Sequence, residues 1–117
     1  MNTEKKPKIA VLLAAFNGEK FIEHQINSIL VQKNVEISIF VSIDMSLDKT
    51  EEIIMKMMKK HQNIFLISKN RKFGNACKNF LFLIKNVNFD SYDFISFSDQ
   101  DDEWFENKLY KAVRALT

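Results

Sequence analysis

Residues 8 to 16 read KIAVLLAAF, an apolar run of strand length with no charge after Lys8. That is the pattern of a strand buried on both faces. It breaks at Asn17-Gly18, and then Phe21, Ile22, Ile26, Ile29 and Leu30 recur at helical spacing, predicting an amphipathic helix to about Gln32. The same switch of period is repeated down the chain. ISIFVSI, 37 to 43, is β-branched and reads as a second strand. Asp48 followed by Glu51 has the form of a capping box, opening a helix whose apolar face is Ile53, Ile54, Met57 and Met58. IFLI, 64 to 67, predicts a short third strand. Cys77, Phe80, Leu81 and Ile84 predict a helix from near Gly74 to Asn86, with Cys77 on its apolar face and in the core. FISF, 94 to 97, is a fourth strand, and Asn107 to Leu116 reads as a last helix.

Strand–helix alternation of this kind specifies an α/β fold: a mostly parallel sheet, right-handed crossovers and helices on both faces, a Rossmann-like three-layer sandwich. A chain of 117 residues is enough for one core, and no linker or repeat divides it, so residues 1–117 are read as one unit. In such sheets ligands bind beyond the carboxyl ends of the strands, where the strand order reverses. Those ends are Ala15-Phe16-Asn17-Gly18, Asp44-Met45-Ser46, Ser68-Lys69-Asn70 and Ser98-Asp99-Gln100-Asp101. Polar clusters gather there, two of them with aspartate.

Composition narrows the partners. The net charge of +2 and the scattered lysines do not call for a nucleic-acid partner. A single cysteine excludes an internal disulfide and suits a reducing, cytoplasmic setting. The polar start MNTEKKPK carries no secretory signal, and the apolar runs are too short to span a bilayer. His24 and His61 lack partners at metal or triad spacing and read as surface residues.

The densest chemistry lies in SDQDDEWF, 98 to 105. Four acids in five positions repel one another unless a cation, a helix N-terminus or solvent relieves them. Asp99 and Asp101, two apart on chain leaving a strand, point the same way and can face one site. Hard ions such as Mg²⁺ or Mn²⁺ take one or two protein carboxylates and fill the remaining positions with water and substrate phosphates. The competing reading is that Asp101, Asp102 and Glu103 start the last helix, whose dipole favours anions. No glycine follows at EF-hand spacing. Trp104 and Phe105 are expected to anchor the turn against the core.

Asp48 is accounted for by capping. Asp44 ends a strand beside the expected crevice, where it either accepts hydrogen bonds from a base or ribose or serves as a turn residue. Asn17-Gly18 is a turn signal, placed where backbone N–H groups could meet a diphosphate. Neither G-x-G-x-x-G nor G-x-x-x-x-G-K occurs, so neither a dinucleotide fingerprint nor a P-loop is present. A receiver-like phosphoacceptor domain shares the alternation but needs acids where Ala14, Ala15 and Ser68 stand.

Taken together, AAFNGEKFI, SIDMSLDKT, NRKFGNACKNF and FSDQDDEWFENKL resemble, in order, the N-terminal half of family-2 glycosyltransferases of GT-A fold, most closely the rhamnosyltransferase-like subgroup. The resemblance implies a donor-binding half, with acceptor site and catalytic base in the second half of longer members. It implies sheet order 3-2-1-4. It gives Ala14 and Phe16 to the nucleotide base, Asn17 to the loop, Asp44 to the base, Asp99 to the ribose and, with Asp101, to Mn²⁺ or Mg²⁺. Lys78 falls near a basic position of the family. A UDP- or dTDP-sugar donor, a glycan or lipid-linked acceptor, metal-dependent transfer with inversion, polysaccharide biosynthesis and a place at the inner membrane face follow by the same resemblance, any membrane contact lying outside this chain. Against the pattern S-D-D-G-S-T-D-x-T, Ile43 replaces the first aspartate, Met45 the glycine and Leu47 the threonine; Phe16 replaces a tyrosine. Those departures leave a non-catalytic nucleotide- or metal-binding module as the second reading.

Overall fold

The computed structural model describes residues 5–99 and 104–117. Strands β1 (Lys8–Ala15), β2 (Glu36–Asp44), β3 (Ile64–Arg71) and β4 (Phe94–Ser98) alternate with helices α1 (Ile22–Leu30), α2 (Thr50–Lys60), α3 (Ala76–Asn86) and α4 (Lys108–Leu116). The strands form one sheet in the order β3-β2-β1-β4, and every pairing is parallel. This is the order implied by the resemblance, and it puts β1 and β4 side by side, with Leu13 opposite Ser98.

The apolar run of β1 is explained by its place. It is the inner strand between β2 and β4, and Ala10, Val11, Leu12 and Leu13 are wholly buried. Ile9, Val11, Leu13 and Ala15 face α1, α2 and α4, joining Ile26, Ile54 and Leu109 in the main core. The other face is covered, among the described residues, by α3 and the segment just after it, where Leu12 meets Leu83 and Val87. That side is thin: Ile95 and Phe97 of β4 and Leu81 and Ile84 of α3 are about half exposed. Among the described residues no helix is long and apolar enough to cross a membrane.

Three expectations change. The period of α3 is as predicted, but its sheet-facing stripe is Asn79 and Leu83, while Cys77, Leu81 and Ile84 are exposed. In AxxNFLFLI apolar residues occupy two adjacent stripes, so spacing locates the helix without choosing its inward side. The capping box at Asp48 and Glu51 does not form: α2 starts at Thr50 without a side-chain cap, and Glu51 lies 3.6 Å from Lys69. Strand β3 runs four residues past Leu66-Ile67, because Ser68 and Arg71 continue to pair with Ser42 and Asp44 across register shifts. Pairing to β2 extends it where hydrophobicity had ended.

Candidate functional site

The carboxyl ends of β1 and β2 open into a cleft of about 480 Å³ beside α3. Its walls are built by a set of side-chain-to-backbone bonds that begin in the segment 44–50. Asp44 is only 5% exposed, and its carboxylate accepts from three backbone amides: Met45 at 2.8 Å, Phe73 at 2.9 Å and Gly74 at 3.1 Å. It therefore fixes the loop between β3 and α3. Gly74 adopts φ +86° there, a left-handed conformation that suits glycine.

Ser46, Asp48 and Thr50 serve the loop between β1 and α1 in the same way. The amides of Asn17, Gly18 and Glu19 donate to the Ser46 hydroxyl (2.9 Å), the Thr50 hydroxyl (2.7 Å) and the Asp48 carboxylate (3.0 Å). Asn17 returns the contact, its side-chain oxygen accepting from the Leu47 amide at 2.8 Å while its own backbone sits at φ 44°. Burial pushes the Asp48 carboxyl up, but the Thr50 hydroxyl and the amides of Glu19 and Thr50 together hold it below its ordinary value.

This overturns one expectation. Backbone N–H groups at 17–19 are spent on Ser46, Thr50 and Asp48, so they are not the donors for a diphosphate. It also extends another: Asp48 does structural work, though as a brace between two loops and not as part of a capping box.

Of the residues nominated from sequence, Ala14, Phe16, Asn17 and Asp44 line the one cleft. Lys78 does not; its side chain is exposed outside the lining, and its amide is taken by the Asn75 cap of α3 at 2.8 Å. Lys72 lines the cleft instead. It stands in the basic cluster Lys69-Arg71-Lys72 that the sequence displays, but only the loop pinned by Asp44 decides which of these reaches inward. Met45, Leu47 and Asn79 also line the cleft and were not nominated. Met45 and Leu47 are 48% and 94% exposed, so two of the positions that depart from the family pattern lie on the cleft, while a third, Ile43, is buried in the main core.

Asp99 follows β4 as Ala14 follows Leu13 in β1, so the paired strands deliver it next to the cleft's β1 wall. It is exposed. Asp101, nominated for the metal with it, lies outside the described residues, and among those described no group of three acidic, histidine or cysteine side chains could hold a metal. Trp104 anchors its turn in the core as expected, at 4% exposed, with Lys108 Nζ 4.3 Å from its ring centroid. Phe105 does not: it is 85% exposed, since the segment turns there to enter α4.

A parallel sheet in this order, with helices on both faces and a cleft beyond its inner strands, defines an α/β domain of Rossmann-like architecture. Residues 10–117 match the model of glycosyl transferase family 2, and the chain belongs to that family. It is 45% identical over 105 residues to the dTDP-rhamnosyl transferase RfbG of Shigella flexneri, covering 89% of this chain and 36% of that protein. It is 31% identical over 105 residues to a GalNAc(5)-diNAcBac-PP-undecaprenol beta-1,3-glucosyltransferase of Campylobacter jejuni, covering 88% and 32%. The chain thus spans about a third of the length of these relatives. Among solved structures, S. aureus TarS superposes with a TM-score of 0.77 at 27% identity, over 92% of this chain and 19% of that one. The mannosyltransferase PcManGT from Pyrobaculum calidifontis, solved with GDP-Man and Mn²⁺, gives 0.81 at 19% identity, over 97% and 33%, a likeness of fold.

Proposed function

We propose that this chain is the donor-binding portion of a glycosyltransferase that moves a sugar from a nucleoside diphosphate to an acceptor hydroxyl. The observation that carries the reading is the cleft at the β1 and β2 ends, lined by Ala14, Phe16 and Asp44, with Asp99 beside it. Asp44 can serve both fold and ligand. A carboxylate offers about four acceptor sites, three of which the amides of Met45, Phe73 and Gly74 take. The remaining one suits an imide N–H of a pyrimidine base. Phe16 covers the base with its ring. Lys72 supplies the cation nearest the cleft and meets the diphosphate, the duty that the amides at 17–19 cannot perform.

Asp99 and Asp101 are the residues that would hold Mg²⁺ or Mn²⁺, and the fit is a partial donor set of hard oxygens to be completed by phosphate and water. The ion supplies Lewis-acid neutralisation of the departing diphosphate when bound. In the transfer itself the acceptor oxygen bonds to the anomeric carbon, the bond to the diphosphate oxygen breaks, and the acceptor proton passes to a carboxylate base. One in-line displacement inverts the anomeric centre. No residue of this chain is assigned as that base.

The donor nucleotide is read as dTDP. Met45 and Leu47 stand where the family pattern has glycine and threonine, making this wall apolar, and the RfbG relative is named for a dTDP-sugar. Burying the extra methyl of thymine contributes about 0.8 kcal/mol, roughly a fourfold preference over uracil. Calorimetric titration with dTDP and UDP, each with and without Mn²⁺, tests the reading. Metal-assisted binding favouring dTDP, and its loss in Asp101→Ala, is expected. Absence of heat with either nucleotide would leave a degenerate scaffold as the better account.

A further inference from the structure

Helix α1 carries two buried polar side chains, Gln25 and Ser28, and a third, Gln32, follows two residues past its end; all three are spent on one part of the chain. Gln25, 1% exposed, donates through Nε2 to the Ser98 hydroxyl at 2.9 Å and to the carbonyl of Asp99. Three positions on, the Ser28 hydroxyl accepts from the Trp104 amide at 3.2 Å. Seven positions on, Gln32 donates to the Phe105 carbonyl at 2.6 Å and accepts from the Leu109 amide at 3.0 Å. Spacing of three puts Gln25 and Ser28 on one stripe of α1, and Gln32 stands two residues past the helix end at Leu30. The Lys33 amide adds a bond to the Glu106 carbonyl at 2.7 Å. Residues 98–99 and 104–109 lie on either side of positions 100–103, so α1 and the turn that follows it grip the entry to the acidic segment and its exit.

We propose that Gln25, Ser28 and Gln32 are positioning residues that set where Asp99 and the exit at Trp104 stand relative to the cleft. If they only stitched α1 to the sheet and α4, apolar side chains would do as well, because Ile22, Ile26 and Ile29 already bury that helix against the core. Burying an amide is costly unless it is hydrogen-bonded. Here each amide bonds backbone of the acidic segment's flanks, which side-chain packing alone cannot hold in register. The grip uses no ligand, so the carboxylate side of the site is set before any donor arrives. The proposal rests on the reading of Asp99 as a donor-site residue.

Trp104 is the sole tryptophan, so it reports on the grip directly. In the full 117-residue chain, Gln25→Met and Gln32→Met keep side-chain length but remove the bonds, and Ser28→Ala is a milder companion if either fails to fold. Expected are freer quenching of Trp104 by acrylamide in Gln32→Met and Ser28→Ala, and a five- to tenfold loss of the Mn²⁺-dependent gain in dTDP affinity in all three. Metal-free dTDP affinity, which depends on the cleft wall, should stay within twofold. Unchanged quenching with an unchanged Mn²⁺-dependent gain overturns the proposal, as does an equal loss of affinity with and without Mn²⁺. If the wild-type chain binds no dTDP, the donor reading fails, and quenching alone still decides whether the grip exists.

Discussion

The chain has two acidic segments at strand ends, and they are held in opposite ways. From Asp44 to Thr50 the side chains are the fasteners: Asp44, Ser46, Asp48 and Thr50 each accept from backbone amides of neighbouring loops. At Asp99, Trp104 and Phe105 the backbone is what is fastened, by Gln25 and Ser28 of α1 and by Gln32 just past its end. An aspartate that satisfies buried amides is bound to the fold, whereas Asp99, held through its backbone carbonyl, is exposed. The contrast explains why the family pattern survives at Asp44, Ser46, Asp48 and Thr50 and departs at Met45 and Leu47. The survivors brace loops, and the departures at Met45 and Leu47 line the cleft, while Ile43 is packed in the core.

The contrast can be broken by substitution. Asp44→Ala leaves three amides without their acceptor, at a cost of about 3 kcal/mol, seen as a lower urea midpoint. Asp99→Ala, in contrast, should move the same midpoint by less than about 0.5 kcal/mol while removing Mn²⁺-dependent dTDP binding. Equal destabilisation by the two would erase the distinction. Thr50→Val unpairs the buried Gly18 amide and should cost about 1.5 kcal/mol. Gly74→Ala meets no atom within 4 Å but must hold φ +86°, so about 1 kcal/mol is expected from backbone strain alone; a larger thermal shift would mean that the loop also packs more tightly than its geometry indicates.

The smallest effect concerns pH. The folded Asp48 carboxyl lies below its ordinary 3.8, so its contribution is complete above that value and drains as pH falls through the lower folded one. Acid unfolding of Asp48→Asn should accordingly be shallower below about pH 4 than that of the parent chain. A parallel pair of acid-unfolding curves would show that the Thr50 and Glu19 bonds do not favour the charged form.

Much of the fold was legible because it follows from period. KIAVLLAAF can be satisfied only where both faces of a strand are covered, and β1, one of the two inner strands, lies between β2 and β4 and is buried from Ile9 to Ala15. The site was legible in part. Ala14, Phe16, Asn17 and Asp44 follow from the rule that ligands gather at strand ends, and they do line one cleft. Lys72 and Asn79 carry no such signal, since a lysine or an asparagine in a loop or helix reads as solvent-facing or as packing until the loop's path is known.

The sequence by itself determined the order of elements, the doubly buried strand β1 and the positions of the acids, because each follows from local period and from chemistry at strand ends. Tertiary structure decided which stripe of α3 faces inward, which lysine reaches the cleft and which aspartate is spent on backbone. Those outcomes depend on hydrogen bonds between residues about 30 to 77 positions apart, such as Gly74 to Asp44 and Leu109 to Gln32. No local pattern encodes such a bond, because its partners become neighbours only when the parallel sheet brings their strand ends together.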